Sequence, residues 1–438
     1  MMQPWFPDAK FGLFMHWGLY SVKGISESWS FFNGQISHED YFAQRHCFGA
    51  EKYDPKQWAE LFARVGAKYA VLTTKHHDGF ALWPTAHHAE NSFQHTPAAK
   101  QHDDLIGPYC DALREHGLRV GLYFSHLDWS HPDFPSVFNA DEGVLVRDHP
   151  GYKYERPLDS IDKPEKWAKF LEFHRAQLKE LSDRYSPDLF WFDGSWTHNS
   201  AQWDMKGLRD QLHAWNPQGV VLNSRMGKNP GYGDYDTPEQ GVPVVAPKGP
   251  WEFCVTLNNS WGWVTGDESH KSVRQIVRLL CDTVGMGGNL LLAIGPYADG
   301  RLQPTQVERL EALGDWLRPR AEAIYGTTAG ATHDHFLGSS TLSADRKTLF
   351  LFQYDRPVDG IAIKGLRNRI ERATVLGGPG HGTELTHRVV GMDLHGIPAL
   401  RWIEVPDDVF DPITTCIKLE LDEALDLYSE AGAVIEAN

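Results

Sequence analysis

The chain of 438 residues carries 42 Lys and Arg against 58 Asp and Glu, a formal charge of −16, and a field of that sign argues against nucleic acid and anionic membranes as partners. Hydrophobic residues make up 41% and include 16 Trp, 15 Tyr and 22 Phe, which supplies large cores and excludes a disordered or fibrous chain. There is no uninterrupted apolar run of spanning length, and MMQPWFPDAK at the start lacks a basic region followed by an apolar run, so a cytoplasmic location is expected.

The predicted elements run as βα units. FGLFMHW (11 to 17) reads as a strand and leads into a polar, aromatic excursion. Asp54-Pro55 supplies an N-cap and an N1 proline, and PKQWAELFARVG sets Trp58, Leu61, Phe62 and Val65 on one helical face before Gly66. YAVLTT (69 to 74) is the next strand, DLIGPYCDALREHG (104 to 117) a helix, and LRVGLYFS (118 to 125) a strand apolar enough for burial on both faces. After a loop rich in Asp, His and Pro to about 160, PEKWAKFLEFHRAQLKELSDRY (164 to 185) is the longest amphipathic helix and feeds the strand DLFWFD (188 to 193). A helix over 203 to 214 and the strand GVVLNSR (219 to 225) follow. HKSVRQIVRLLCDTVGMGG (270 to 288) is a helix with a glycine-rich end, NLLLAIGP (289 to 296) an apolar strand, and PTQVERLEALGDWLRPR (304 to 320) the last helix. GMGG precedes a strand instead of opening a helix, so it marks a tight turn and no dinucleotide site.

Six strands are placed and one or two more are required within 230 to 265. An imperfect (β/α)8-like barrel fits this count better than a doubly wound sheet, because no glycine-rich phosphate loop follows an early strand. Beyond about 330 the pattern changes to short β-branched and aromatic segments such as TLFLFQY, DGIAIKG and CIKLELD between Asp, Gly and Pro turns. The expected division is a catalytic barrel over 1–330 and a C-terminal antiparallel β-sandwich over 331–438. Five scattered cysteines without a CxxC pair are expected as free thiols.

Barrel enzymes gather their reactive groups at the carboxyl ends of the strands. Polar residues follow apolar runs at five such places: His16-Trp17, Lys75 to Asp78, Tyr123 to His126, Asp193 and Arg225. Asp193 is the sharpest candidate, because a carboxylate ending an apolar strand between Phe192 and Gly194 needs a partner or a task. If the task is glycoside hydrolysis, a second carboxyl must protonate the leaving oxygen. Glu239, in GDYDTPEQ, is preferred because a loop can bring it over a leaving group. Glu252, in PKGPWEFCVTLNNSWGW, competes, since aromatic neighbours raise a carboxyl pKa; its other role would be to hold Arg225 or a hydroxyl. His16, His76 and His77 are expected as neutral imidazoles that bind vicinal hydroxyls. Neither an HExxH helix nor a His/His/Asp triplet accompanies them, so no metal and no cofactor is expected. His126 and His131 either join the same rim or satisfy a loop. Trp29, Trp251, Trp261 and Trp263 lie near these clusters, and such rings suit the C–H face of a pyranose.

WFPDAKFGLFMHWGLYSV, AKYAVLTTKHHDGFALW, GLYFSHLDW, PDLFWFDG, GDYDTPEQ, WEFCVTLNNSWGW and GGNLLLAIGP, in that order, resemble α-L-fucosidases of glycoside hydrolase family 29 over residues 4 to about 320. The remainder is similar to that family's C-terminal sandwich. The resemblance implies an exo-acting, retaining, metal-independent hydrolase that forms a covalent fucosyl-enzyme on a fucosylated oligosaccharide or glycoconjugate. It carries the nucleophile onto Asp193 and fucose contacts onto His16, His76, His77, Tyr123 and Arg225. Trp263 corresponds to an aromatic beside the C5 methyl, and Trp29 to a pocket tryptophan, although SESWSFF departs from the usual Glu-Trp-Tyr order. The acid/base stays open between Glu239 and Glu252. The alternatives are a glycosidase of the same architecture acting on a related sugar, and a noncatalytic carbohydrate-binding protein. Linkage preference, shaped by loops at 130 to 160 and 230 to 265, and oligomeric state are not legible in the sequence.

Overall fold

FGLFM is buried at every position, which fits a parallel strand covered on both faces. The computed structural model describes residues 2–134, 164–228, 230–394 and 396–430. It makes that segment β1 (Phe11–Met15) of a sheet with β2 (Tyr69–Lys75), β3 (Arg119–Ser125), β4 (Leu189–Asp193), β5 (Val221–Leu222), β6 (Glu252–Thr256) and β7 (Asn289–Ile294). Neighbouring strands are parallel, in the order β5-β4-β3-β2-β1-β7-β6. Residues 135–163, most of the first loop expected to shape the leaving-group side, lie outside the described residues.

Residues 235–239 span the opening between β5 and β6. Asn223 bridges Tyr235, Asp236 bridges Trp251 and Glu239 bridges Cys254, each in parallel. Glu252 N donates to Asp236 O (2.9 Å), Cys254 N to Pro238 O (3.1 Å) and Gln240 N to Cys254 O (3.0 Å). Pro238 has no N–H to give, so this eighth stave stays irregular. The curled sheet is thus a (β/α)8-like barrel, with β6 and the stave supplying the strands anticipated between 230 and 265. Among the described residues no α-helix separates β5 from the stave or the stave from β6.

β5 is shorter than the strand expected over 219 to 225. Its ladder stops at Leu222 because side chains replace backbone partners. Asn223 Oδ1 accepts from Phe192 N (3.0 Å) and its Nδ2 donates to Phe192 O (2.9 Å), while Asp234 accepts from Leu222 N (3.0 Å). The chain can then turn at the barrel mouth, and Arg225 sits in that turn and not in a strand.

Helices cover the barrel as their caps predict. Asp54 accepts from Lys56 N and Gln57 N ahead of the helix Pro55–Arg64, with proline in the first turn. Ser272 and Gln275 close a reciprocal box ahead of Val273–Gly285. The long helix Pro164–Tyr185 buries Phe170, His174, Leu178, Leu181 and Tyr185, a helical spacing that lays one face on the barrel. No helix among the described residues is long and apolar enough to cross a membrane.

β8 (Thr328–Ala329), β9 (Ser339–Leu342), β10 (Thr348–Gln353), β11 (Gly360–Ile363), β12 (Ile370–Val375), β13 (His387–Val390), β14 (Leu400–Glu404) and β15 (Thr415–Leu421) form two antiparallel sheets, β12-β15-β10-β9-β8 and β11-β14-β13. β10 shows how alternation ties the parts together. Leu349 and Leu351 pack inside the sandwich with Ile363 and Ile417, whereas Phe350 and Phe352 join the main barrel core. Polar ties flank that contact, with Arg320 on Asp411 (2.6 Å) and Tyr354 donating to Asp282 (2.5 Å).

Candidate active site

Asp193 ends β4 at the carboxyl face of the barrel, with its side chain 13% exposed beneath a rim of buried rings. Its Oδ1 accepts from Arg225 Nη1 at 2.7 Å and from Gly194 N at 2.8 Å; its Oδ2 accepts from the Tyr123 hydroxyl at 3.2 Å. His77 Nε2 stands 3.6 Å from Oδ2. Burial pushes this carboxyl up, but the charge and hydrogen bond of Arg225, with the Gly194 N–H, outweigh it and hold it below the ordinary carboxylate value. Asp193 is therefore an anion at neutral pH.

Arg225 joins two carboxylates. Its Nη2 lies 2.5 Å from Glu239 Oε2, and its guanidinium stacks 4.5 Å from the centre of the Trp191 ring. A planar fork suits this double contact. Burial alone would lower its pKa, but Asp193 and Glu239 hold it above its ordinary value. The Glu239 side chain is 38% exposed at the end of the irregular stave, where Gln240 at φ +58 and the Gly241 N to Glu239 O bond (2.6 Å) turn the chain back.

Glu252 is not brought to that mouth. It is the first residue of β6, has no exposed surface, and points into the barrel interior. Tyr69 donates to its Oε2 (2.5 Å), while Trp191 Nε1 (2.8 Å) and Tyr235 (3.4 Å) donate to its Oε1. Burial pushes it up to about 7 against the pull of those three donors. Glu252 thus supports the edge of Trp191, whose face carries Arg225.

His16, His76 and His77 wall one side, and Tyr123 lies parallel to His76 at 5.5 Å and to Trp191 at 5.6 Å. Ser125 Oγ donates to Leu127 O (2.9 Å), so at 2.6 Å from His77 Nδ1 it accepts. His77 then carries its proton on Nδ1 and leaves the Nε2 lone pair on the Asp193 side. Burial lowers His77 to about 4 and His16 to about 3, and carries His76 well down, so all three are neutral. His76 Nδ1 is paired with Ser28 Oγ at 2.6 Å.

The tryptophans divide differently from the sequence expectation. Trp29 meets His77 edge-on at 5.6 Å and lies near-parallel to Trp196 at 6.3 Å. Trp263 packs edge-on against Tyr297 beyond β7, at 5.0 Å. Trp261 is the ring beside His16, at 5.0 Å, and Trp251 is buried in the core. Glu27 decides this, because its Oε1 accepts Gly262 N at 2.8 Å and pins the loop between the two tryptophans. Glu27, Trp191 and Trp196 are not among the residues the sequence singles out for the site, while Ser125 lies within its Tyr123 to His126 cluster. Glu27 was visible only as the acidic member of SESW, and Trp191 only as one more apolar residue of a strand. Among the described residues no three His, Cys, Asp or Glu side chains converge as a metal set.

The sequence profile of the family described as Alpha-L-fucosidase matches residues 1–322. The tissue alpha-L-fucosidase of Macaca fascicularis is 35% identical over 352 residues, covering 74% of this chain and 69% of that protein. Among solved structures, alpha-L-fucosidase isoenzyme 1 from Paenibacillus thiaminolyticus is 33% identical, with a TM-score of 0.82 over 96% of this chain and 98% of that one. A Bacteroides thetaiotaomicron GH29 alpha-L-fucosidase, solved as a trapped covalent intermediate with 2-fluoro-fucosyl fluoride, is 25% identical, with a TM-score of 0.80 over 95% and 94% of the two chains.

Proposed function

The chain belongs to the alpha-L-fucosidase family, and from that premise we propose which residues carry its reaction and in what order. The protein is a glycoside hydrolase, a retaining exo-acting α-L-fucosidase of family 29 whose substrates are fucosylated sugars. Asp193 is the nucleophile. The observation that carries this is its place, an anionic carboxyl at the end of β4 with Oδ1 tied to Arg225 and Gly194 and Oδ2 accepting a longer bond from Tyr123 at 3.2 Å.

Oδ2 attacks the anomeric carbon as the glycosidic C–O bond breaks, and Glu239 gives its proton to the departing oxygen. A fucosyl ester of Asp193 results. Glu239, now a carboxylate, takes a proton from water, whose oxygen displaces Asp193 and yields fucose with net retention. Glu239 suits the acid/base role because it is open to solvent, while Glu252 is sealed under Trp191. One guanidinium bridges the two carboxylates, and its terminal nitrogens are about 2.3 Å apart, so the bridged oxygens are separated by at most about 7.5 Å. That ceiling accommodates the roughly 5 to 5.5 Å of a retaining pair.

His77 offers its Nε2 lone pair to a substrate hydroxyl, with His16 and His76 beside it as neutral partners. Trp261 and Trp29 present rings to the apolar face of the sugar. Reaction with a 2-deoxy-2-fluoro fucosyl fluoride, digestion and mass spectrometry test the assignment. The label is expected on Asp193, and a label on any other carboxylate overturns it.

A further inference from the structure

Just past the point where β5 stops, the carbonyl of Arg225 is held by a side chain. His126 Nε2 lies 3.2 Å from Arg225 O, and His126 Nδ1 lies 3.0 Å from His174 Nε2, on the helix Pro164–Tyr185. His174 Nδ1 is in turn 2.9 Å from Arg175 Nη1, and Arg175 Nη2 donates to the carbonyls of Trp203 (2.5 Å) and Asp204 (3.2 Å). Both imidazoles are fully buried, and His126 lies flat on Phe192 at 4.6 Å and 9°.

This chain has one consistent proton assignment. A carbonyl only accepts, so His126 carries its proton on Nε2. Its Nδ1 must then accept, which places the His174 proton on that ring's Nε2 and leaves His174 Nδ1 to accept from Arg175. An arginine only donates, so the far end closes without conflict. A second proton on either ring would set donor against donor in a dry site.

We propose that His126 and His174 are positioning residues of the fucosyl transfer, a neutral single-tautomer relay that fixes the backbone of Arg225 and, through its guanidinium, Asp193 and Glu239. The inference rests on the reading of Asp193 as nucleophile. Its physical basis is that β5 has surrendered its ladder by Leu222, so the residue that must hold two carboxylates is outside any strand. The helix thereby sets the height of Arg225 over the Trp191 ring. The charged groups around the relay are Arg175 on the helix side, with Asp193 and Lys75 on the barrel side, and burial is the first cause that keeps both rings uncharged.

The test compares His126→Phe, which keeps a ring against Phe192 but has no donor, with His126→Gln, whose amide nitrogen can again reach the Arg225 carbonyl. With an aryl fucoside, His126→Phe is expected to lower kcat roughly 10- to 100-fold with KM within about twofold, a misplacement effect. It should also move the acidic limb of kcat/KM upward as Asp193 loses its cation, and His126→Gln should recover most of both. Wild-type kcat and an unmoved acidic limb in His126→Phe, or a His126→Gln variant no better than it, overturns the proposal. Should His126→Phe fail to fold, nitrogen NMR of the histidine-labelled full chain decides. Both rings are expected as Nε2–H neutral tautomers from pH 5 to 8, and a doubly protonated or Nδ1–H ring overturns the relay. Azide rescue of Asp193→Ala separates the two readings, since its failure removes the nucleophile while leaving the tautomer result standing.

Discussion

Arg225 Nη1 lies 2.7 Å from Asp193 Oδ1, and that contact sets the charge of the whole mouth. The same guanidinium reaches Glu239 at 2.5 Å, so one cation contacts both carboxyl groups. Lysine offers a point charge and no fork. Arg225→Lys is therefore expected to lower kcat/KM by about 10²-fold or more, with the acidic limb of the pH profile raised because Asp193 loses part of what depresses it. An unchanged limb would show that the guanidinium does not set the state of Asp193.

Asp193→Ala should remove turnover almost completely, by about 10⁴-fold or more, as loss of a nucleophile does. The fold should survive, because the side chain sits at the mouth and not in a core. Azide, small enough for the vacated space, is expected to restore release of an activated aryl leaving group and give a fucosyl azide of inverted configuration. The anomeric proton coupling of the isolated product checks this, and a product of retained configuration would mean another nucleophile is at work.

The two glutamates make opposite predictions. Glu239→Gln should cost roughly 10² to 10⁴-fold on natural linkages, whose leaving oxygens need a proton, and much less on aryl fucosides with acidic phenols. Glu252→Gln should leave the chemistry nearly intact and change stability. The native carboxyl holds its proton up to about 7, while the unfolded one loses it near the ordinary value, so wild-type stability falls as pH rises between the two. Removing that titration should favour the variant over wild type by as much as about 3 kcal/mol at pH 8 compared with pH 4. Unfolding midpoints at the two pH values measure the difference, and a large kcat loss in Glu252→Gln would transfer the acid role to it.

How far these assignments were readable depended on whether the signal was local. Asp193 was legible because a charge after LFWF is costly anywhere except at a site that uses it. The barrel was legible from its apolar runs, but the facing of Glu252 was not, since a strand buried on both sides shows no alternation. Arg225 was legible as a residue while its setting was not. The side chains of Asn223 and Asp234 replace the ladder there, and nothing in GVVLNSR announces it. Trp261 and Trp263 are two residues apart, and only the long-range bond from Glu27 to Gly262 decides which ring reaches His16. The His126–His174 contact spans a strand end and a helix, and no spacing rule encodes that.

Lys75 and Asp128 offer a test of stability separate from the chemistry. They face each other at 3.6 Å with both side chains wholly buried, and Lys75 also donates to Gln177 Oε1 at 3.1 Å and lies over the Phe124 ring. Burial is the larger influence on Lys75 and lowers it to about 8 despite Asp128. Removing one member strands a buried charge, so Lys75→Met is expected to cost about 3 to 5 kcal/mol, measured by urea unfolding at pH 7. The double variant Lys75→Met with Asp128→Asn should recover part of that loss, and additive losses would mean the pair is not coupled.

The buried histidines give the protein a pH limit whose sign follows from their neutral rings. His16 and His126 titrate near 3 and His77 near 4 in the native state, all because of burial, against about 6.5 when unfolded. Below 6.5 the unfolded chain therefore binds protons that the native one refuses, and stability falls with falling pH. Each such ring contributes a slope of at most about 1.4 kcal/mol per pH unit until its native value is reached. Asp193, held low by Arg225, adds to the loss further down. Glu252, Asp78 and Glu27, all raised by burial, act in the opposite sense, but the lowered histidines, which also include His76, His131, His174 and His198, outnumber them. Calorimetric midpoints should thus fall steadily between pH 6.5 and 4, and His16→Phe, which packs on Phe14 and Trp261 without a proton to gain, should flatten that fall. A variant with the wild-type slope would show that His16 is already charged in the native protein.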